Sequence, residues 1–347
     1  MRSTPVRDLP TAGGPVLVPR PVAKSVEELI DGASLREPME KTADSLSGST
    51  FERVVIDGEP YVLKHLHIYD DWIARATGDL LCRPMLVWRS GILGALPPTI
   101  DHAVVGVAAG LGRDGLGAAL LLRDVGDALV PEGHEPISLE QHGRFMEHMA
   151  DLHAAFWGWS DSIGLMPQSH RVYELSPCTG DIEAELGNDD AVPLMLRPGW
   201  ERLRVEAPRA GELAWQLLAD PGPLLDALER GPSTLVHGDW KAGNLGSDAD
   251  GRTVLLDWAV PGAAPGPIDL AWYLAVNCDR LPETKEATIE RYRNELTGRG
   301  IDTEPWWDEQ LGLALVVAFI QLGWSKSGAE LDWWADGVGR ATRYLRP

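Results

Sequence analysis

Cysteine, long apolar runs and basic residues are all scarce in this chain, and each scarcity excludes something. The three cysteines, Cys82, Cys178 and Cys278, lie about 100 residues apart with no CxxC pair. An odd, scattered set gives neither a disulfide framework nor a zinc signature, and it suits a reducing, cytoplasmic setting. The longest apolar run, Leu311–Ile320 (LGLALVVAFI), is far below the roughly 20 residues that cross a bilayer, so a buried helix is predicted there and no membrane segment. The start, MRSTPVRDLPTAGGPVLVPRPV, has charge and proline but no continuous apolar core, and reads as a tail rather than a signal peptide. Lys and Arg number 31 against 52 Asp and Glu, a net charge of −21. That balance argues against nucleic acid or an anionic membrane surface as partner and favours a cationic ligand, although acidity also serves solubility. No internal repeat and no low-complexity tract is present.

What remains is an ordinary soluble composition, 44% hydrophobic and 24% charged over 347 residues, long enough for a large two-lobed domain. Ser25 and Glu28 form a capping box before a short helix ended by Gly32. In FERVVIDGEPYVLKHL, Asp57-Gly58 between two β-rich runs signals a hairpin and puts Lys64 on its returning strand. Just upstream, Ser45–Thr50 (SLSGST) is either a plain turn or a backbone cradle for phosphate. Helices are predicted around 70–77 and 84–95, and strands at AVVGVAAG and AALLLRDV. Gly110–Gly115 spells G-x-G-x-x-G, but it opens no helix, and Asp114-Gly115 reads as a hairpin turn, so a dinucleotide site is rejected. Ser138 and Gln141 cap a long helix whose His142, His148 and His153 lack zinc spacing and read as packing or surface residues. Residues 161–231 are rich in Pro, Gly and acids and read as an inserted helical cap.

The densest chemistry lies in LVHGDWKAGNLG, residues 235–246, where His237, Asp239, Lys241 and Asn244 follow an apolar strand. Each alone suits a turn. Beyond them, SDADG and TVLLD predict a hairpin that folds Asp257 back toward Asp239 and Asn244. This stretch resembles the catalytic and metal-binding segments of the aminoglycoside phosphotransferase and choline kinase family, relatives of protein kinases, with the pattern H-G-D-x-x-x-x-N, a strand and a metal-binding Asp. YVLKHL, LLLRDV, HMADLHAAFW and PIDLAWYLA extend the resemblance to the β3 lysine, the strand entering the hinge, the helix before the catalytic loop and the helix after it.

The resemblance implies an α+β, bilobal protein-kinase-like fold. Residues 1–23 are its tail, 24–123 a mainly antiparallel β N-lobe covering the nucleotide, and 124–347 a mostly helical C-lobe that includes the 161–231 cap. It implies that Asp239 orients or deprotonates the attacking hydroxyl, that Asn244 and Asp257 hold magnesium, and that Lys64 holds the α and β phosphates of ATP, or of GTP. Ser47, Gly48, Ser49 and Thr50 would cover those phosphates, Arg123 and Val125 would border the hinge, and Lys241 would face the transferring group. His237 and Asp269 are expected to support the loop. Such chemistry depends almost wholly on positioning and charge neutralisation. Six lysines against 25 arginines make the two in these slots more telling, since Lys offers a compact point charge.

Two departures stand out. RPMLVWRSGIL has no acid to pair with Lys64, leaving Asp71, Asp79 or a water for that role, and Trp258-Ala259 follows Asp257 where protein kinases have Phe-Gly. The implied activity is Mg-dependent transfer from ATP to a hydroxyl of a small acceptor, an aminoglycoside or a cationic amino-sugar-like molecule. The alternatives are a metabolic kinase for a sugar, amino alcohol or homoserine-like substrate, and a nucleotide-binding pseudokinase. The acidic, Trp-rich C-terminal region, with Asp332 and Asp336, is the candidate acceptor contact; an amphipathic helix with Trp inward and acids outward is the other reading of it.

Overall fold

The computed structural model describes residues 13–40 and 48–345. After α1 (Val26–Leu29), capped by the Ser25 hydroxyl accepting from Glu28 N–H, come β1 (Ala33–Met39), β2 (Thr50–Ile56) and β3 (Glu59–Leu66). Asp57 and Gly58 both take positive φ, 53° and 83°, the backbone of a tight primed turn whose twist matches its strands. The resulting register sets Lys64 opposite Phe51. Two helices follow, α2 (Trp72–Ala76) and α3 (Arg83–Ser90), then the short β4 (Ile100–Asp101), β5 (Val104–Leu111) and β6 (Gly117–Arg123). Strands β1-β2-β3-β6-β5 form one antiparallel sheet. Val54, Leu63, Ala119 and Leu121 seal one of its faces as a small separate core, while Leu120, the partner of Lys64 across β6, belongs to the main core.

The rest of the chain is mostly helical. Ser138 caps α4 (Leu139–Ala155) by accepting from Gln141 N–H at 3.2 Å. The 161–231 segment forms α5 (Gln168–Glu174), α6 (Pro177–Glu185), α7 (Ala191–Glu206), α8 (Pro208–Ala219) and α9 (Gly222–Glu229). Its first helix, α5, packs against α2 and the later α12 (Trp307–Leu322). Short strands β7 (Thr234–Val236), β8 (Leu245–Ser247), β9 (Thr253–Leu255) and β10 (Gly262–Ala264) frame the loops of interest. They precede α10 (Pro267–Val276) and α11 (Lys285–Gly298), and after α12 comes α13 (Gly328–Ala341).

Apolar nearly all round, α10 and α12 are the buried centre of this lobe, as such helices must be. The Leu311–Ile320 run forms most of α12, and no described helix is long and apolar enough to cross a membrane. All three α4 histidines are buried, none at the surface: His142 meets Tyr273, His148 meets Thr253, and His153 meets Tyr292.

Candidate active site

The loop after β7 hangs from one carboxylate. Asp269, in the first turn of α10 and fully buried, accepts the backbone N–H groups of His237 (2.8 Å) and Gly238 (2.7 Å), and its Oδ2 also accepts from His153 Nε2 (3.1 Å). Burial pushes the Asp269 carboxyl upward, but the hydrogen bond and charge of His153, with the other donors, outweigh it and hold the group below its ordinary value. His237, also fully buried, accepts Asp239 N–H on Nδ1 at 3.2 Å. Between them Gly238 has φ +83°, and a Cβ there would lie 2.3 Å from Val260 O and 2.5 Å from Arg171 Nη1. Gly238→Ala is therefore expected to cost about 2–5 kcal/mol from left-handed strain plus crowding, read as a lowered midpoint in chemical denaturation. A shift within error would show that the loop relaxes freely.

Asp239 receives three donors. Trp272 Nε1 reaches Oδ1 at 2.9 Å, while Asn244 Nδ2 (2.8 Å) and Lys241 Nζ (3.0 Å) reach Oδ2. Asn244 Nδ2 also bonds Asp239 O at 3.0 Å, which commits its amide nitrogen and leaves its oxygen for other use. The β8–β9 hairpin then returns the chain, and Asp257 follows at φ +61° with its Oδ1 accepting from Lys64 Nζ at 3.0 Å. Burial works against ionisation of Asp257, but the Lys64 and Lys241 ammoniums prevail and hold its carboxyl below the ordinary range.

Neither acid considered as a partner for Lys64 bonds it. Asp71 caps α2, accepting from Ile73 and Ala74 N–H, and Asp79 accepts Arg83 N–H on both oxygens. Burial raises both carboxyls, and Asp71 is near enough to feel the charges of Lys64 and Asp257.

A cavity of about 450 Å³ collects these groups. Lys64, Asp239, Lys241, Asn244 and Asp257 line it, as do Arg123 and Val125 at the crossing between the lobes. Arg123 itself is held in an ion pair with Asp101. Of the small-residue loop, Ser47 lies outside the described residues. Gly48 is pressed against the Asp70–Asp71 backbone, where a Cβ would fall 1.2 Å from Asp70 O. Ser49 is buried and Thr50 begins β2 with its side chain exposed.

Asp332 and Asp336 do not reach the cavity. Both are exposed on α13, whose Trp334 is buried with Nε1 donating to Glu330, so the amphipathic arrangement governs this helix. The C-terminal part of the wall is instead Leu322, Trp324 and Ser325.

Sequence reasoning also missed Trp272 and Glu174. Trp272 lies three residues after Asp269, on the same face of α10, a spacing that could have placed it beside the loop. Glu174 ends α5, lines the cavity and is 6% exposed; burial pushes its carboxyl up to about 7, with Arg171 pulling the other way. Nothing local in QSHRVYEL marks it. Among the described residues no cluster of three or more His, Cys, Asp or Glu forms a self-sufficient metal cage.

Residues 92–303 match the sequence profile described as the phosphotransferase enzyme family. Among solved structures, choline kinase LicA from Streptococcus pneumoniae is similar in fold, with a TM-score of 0.50 at 13% identity over 92% of this chain and 95% of that one. A choline/ethanolamine kinase family protein from Mesorhizobium loti gives 0.44 at 12% identity, over 93% and 92% of the two chains. A thermostable mutant of aminoglycoside phosphotransferase APH(4)-Ia gives 0.43 at 15% identity, over 90% and 93%. No curated protein matches the chain in sequence.

Proposed function

Because the chain belongs to the phosphotransferase enzyme family, we propose that it transfers the γ-phosphoryl group of ATP to a hydroxyl of a small molecule, with Asp239 as the base. The observation that carries this reading is the meeting of Lys64, of Asp239 and Asn244 from one loop, and of Asp257, from three separated stretches of sequence, in one cavity. Asp239 sits where three donors fix both its oxygens, so its lone pairs point in set directions and a substrate hydroxyl can be aligned against it. Lys64 is placed to bind the α and β phosphates, and Lys241, beside Asp239, to neutralise charge on the group in transfer.

The donor set suits magnesium: one carboxylate, Asp257, and one amide oxygen, that of Asn244, with phosphates and water completing the shell, is the sparse oxygen coordination this ion accepts. When bound, the ion would neutralise phosphate charge and orient the triphosphate. Lys64 would then leave Asp257 for the phosphates, exchanging one anion for another.

Incubation with MgATP and a panel of sugars, amino sugars, aminoglycosides, amino alcohols and homoserine should give acceptor-dependent ADP release and a phosphate monoester visible by 31P NMR. MgADP binding without turnover on any acceptor would support a pseudokinase instead. Asp257→Asn is expected to weaken ADP binding at least about tenfold in magnesium and to leave it nearly unchanged in EDTA, since one hard ligand is worth more than about 1.4 kcal/mol here. Calorimetric titration with and without the chelator measures this, and an equal loss in both conditions would remove Asp257 from the metal site.

A further inference from the structure

Beneath the loop that presents Asp239 lies a positive charge with no part in the chemistry described above. Arg171, in the middle of α5, is 1% exposed, and one hydrogen bond holds its guanidinium: Nη2 donates to Val260 O at 2.6 Å. Nε has no acceptor, and no carboxylate stands within ion-pair distance of the group among the described residues. Backbone surrounds it instead. A Cβ on Gly238 would fall 2.5 Å from Nη1 and 2.7 Å from Nη2, and one on Gly262 would fall 3.6 Å from Nη2. Gly238 immediately precedes Asp239, Val260 comes three residues after Asp257, and Gly262 pairs with Val236 at the end of β7. The guanidinium therefore underlies both segments that carry the acids of the site.

An unpaired charge kept from water is expensive, and a neutral side chain of similar length would fill the same space at less cost. Burial works against the charged form of Arg171; Asp269, Glu174 and Asp239 favour it from a distance, and Arg83 opposes it. Three carboxylates, on α10, on α5 and in the loop, thus share one counter-charge that none of them binds. An anionic phosphoryl group has to approach this same place. Asp239, Asp257 and Glu174 all line the cavity, while Lys64 and Lys241 are engaged with Asp257 and Asp239.

We propose that Arg171 is a positioning residue of the transfer site, a fixed counter-charge under Gly238 that offsets the carboxylates around the loop and so lets the terminal phosphate of the nucleotide settle against Asp239. The identification of that anion as the nucleotide's phosphate rests on the function proposed above. Arg171 does not line the cavity, so it acts through the layer of backbone above it, where a unit charge reaches further than it does in water. A guanidinium keeps its proton and, packed in this way, keeps its place, so its field needs no reorganisation when the phosphoryl group moves.

The test replaces Arg171 by Met, which keeps the length of the side chain, and by Gln, which keeps a donor for Val260 O; both lose the charge. Calorimetric titration of the full chain with MgADP, and with the magnesium complex of the non-hydrolysable imido analogue of ATP, compares a nucleotide that stops short of the γ-position with one that fills it. Affinity for the analogue should fall at least about tenfold in both variants, the order expected of a unit charge acting through protein, while MgADP stays within about threefold of wild type. The kcat/KM for ATP should fall in step with the analogue. The denaturation midpoint should be kept or raised, because a buried, unpaired charge has been removed. A merely structural brace predicts the reverse, a lowered midpoint with both nucleotides weakened alike. That result, an unchanged affinity for the analogue, or failure of both variants to fold would each overturn the proposal. Wild-type protein that binds neither nucleotide would overturn it together with the phosphotransferase reading. Wild-type protein that binds both and turns over no acceptor would remove that reading alone, and the comparison of the two nucleotides would still decide the role of Arg171.

Discussion

Asp239→Asn is expected to lower acceptor-dependent kcat by about 10²- to 10⁴-fold, the usual contribution of a positioned base, while ADP affinity stays close to wild type. The amide keeps the size of the carboxylate but loses its proton affinity. It also cannot serve three donors, because one of Trp272 Nε1, Asn244 Nδ2 and Lys241 Nζ would then face an N–H instead of an acceptor. Asp239→Ala provides the control, removing the base without that donor conflict. Steady-state turnover at saturating ATP, with ADP binding measured in parallel, separates chemistry from folding. If both variants kept more than about a tenth of wild-type kcat, far above the residue expected after loss of a base, Asp239 would not be the base and a different carboxylate, with Glu174 the first to examine, would have to take its place.

The second large effect is expected at Asp269, which touches no substrate. Asp269→Ala strands the His237 and Gly238 amides and the His153 imidazole in a region closed to water. Removing one member of such a buried pair costs about 3–5 kcal/mol, enough to consume much of a typical domain's stability. The loss should appear as a large fall in denaturation midpoint, with turnover falling too because the loop that presents Asp239 is no longer held. The sign of its pH dependence is fixed by the depressed carboxyl. The stabilisation is complete above the ordinary value of 3.8 and fades as pH falls through the lower, folded-state value. The gap between wild type and Asp269→Ala should therefore be constant from pH 8 to 5 and narrow only in stronger acid. A gap that closed between pH 7 and 5 would point to a histidine as the source.

These two positions illustrate how far the sequence could be read. Asp57-Gly58 dictated a hairpin by backbone chemistry alone, and so located Lys64 on β3 beside β6. The fixed spacing from Asp239 to Asn244, followed by a short hairpin, likewise told where Asp257 would return. Both are local rules, in which turn residues determine where a side chain a few positions away must go. The α5 contribution was invisible because it is not local. Glu174 reaches the cavity because α5 packs on α2 and α12, segments about 100 and about 140 residues away in the chain. Asp332 and Asp336 failed for the opposite reason. Their composition suggested a ligand, but in α13 the burial of Trp334 and Leu331 sets the rotation of the helix and turns both acids to water. Lys64 shows a third case, in which the missing helix acid was read correctly as missing, while the structure answers with Asp257 itself as its hydrogen-bond partner.

Two residues of α5 do different jobs only one turn apart: Arg171, at its middle, packs against the glycine that precedes Asp239, and Glu174, at its end, lines the cavity. Replacing the whole segment would disturb the cavity wall and the support beneath Gly238 together, whereas point changes at position 174 alter the wall and leave that support standing. Libraries built to retarget this protein should hold Arg171 constant and vary the residue three places on.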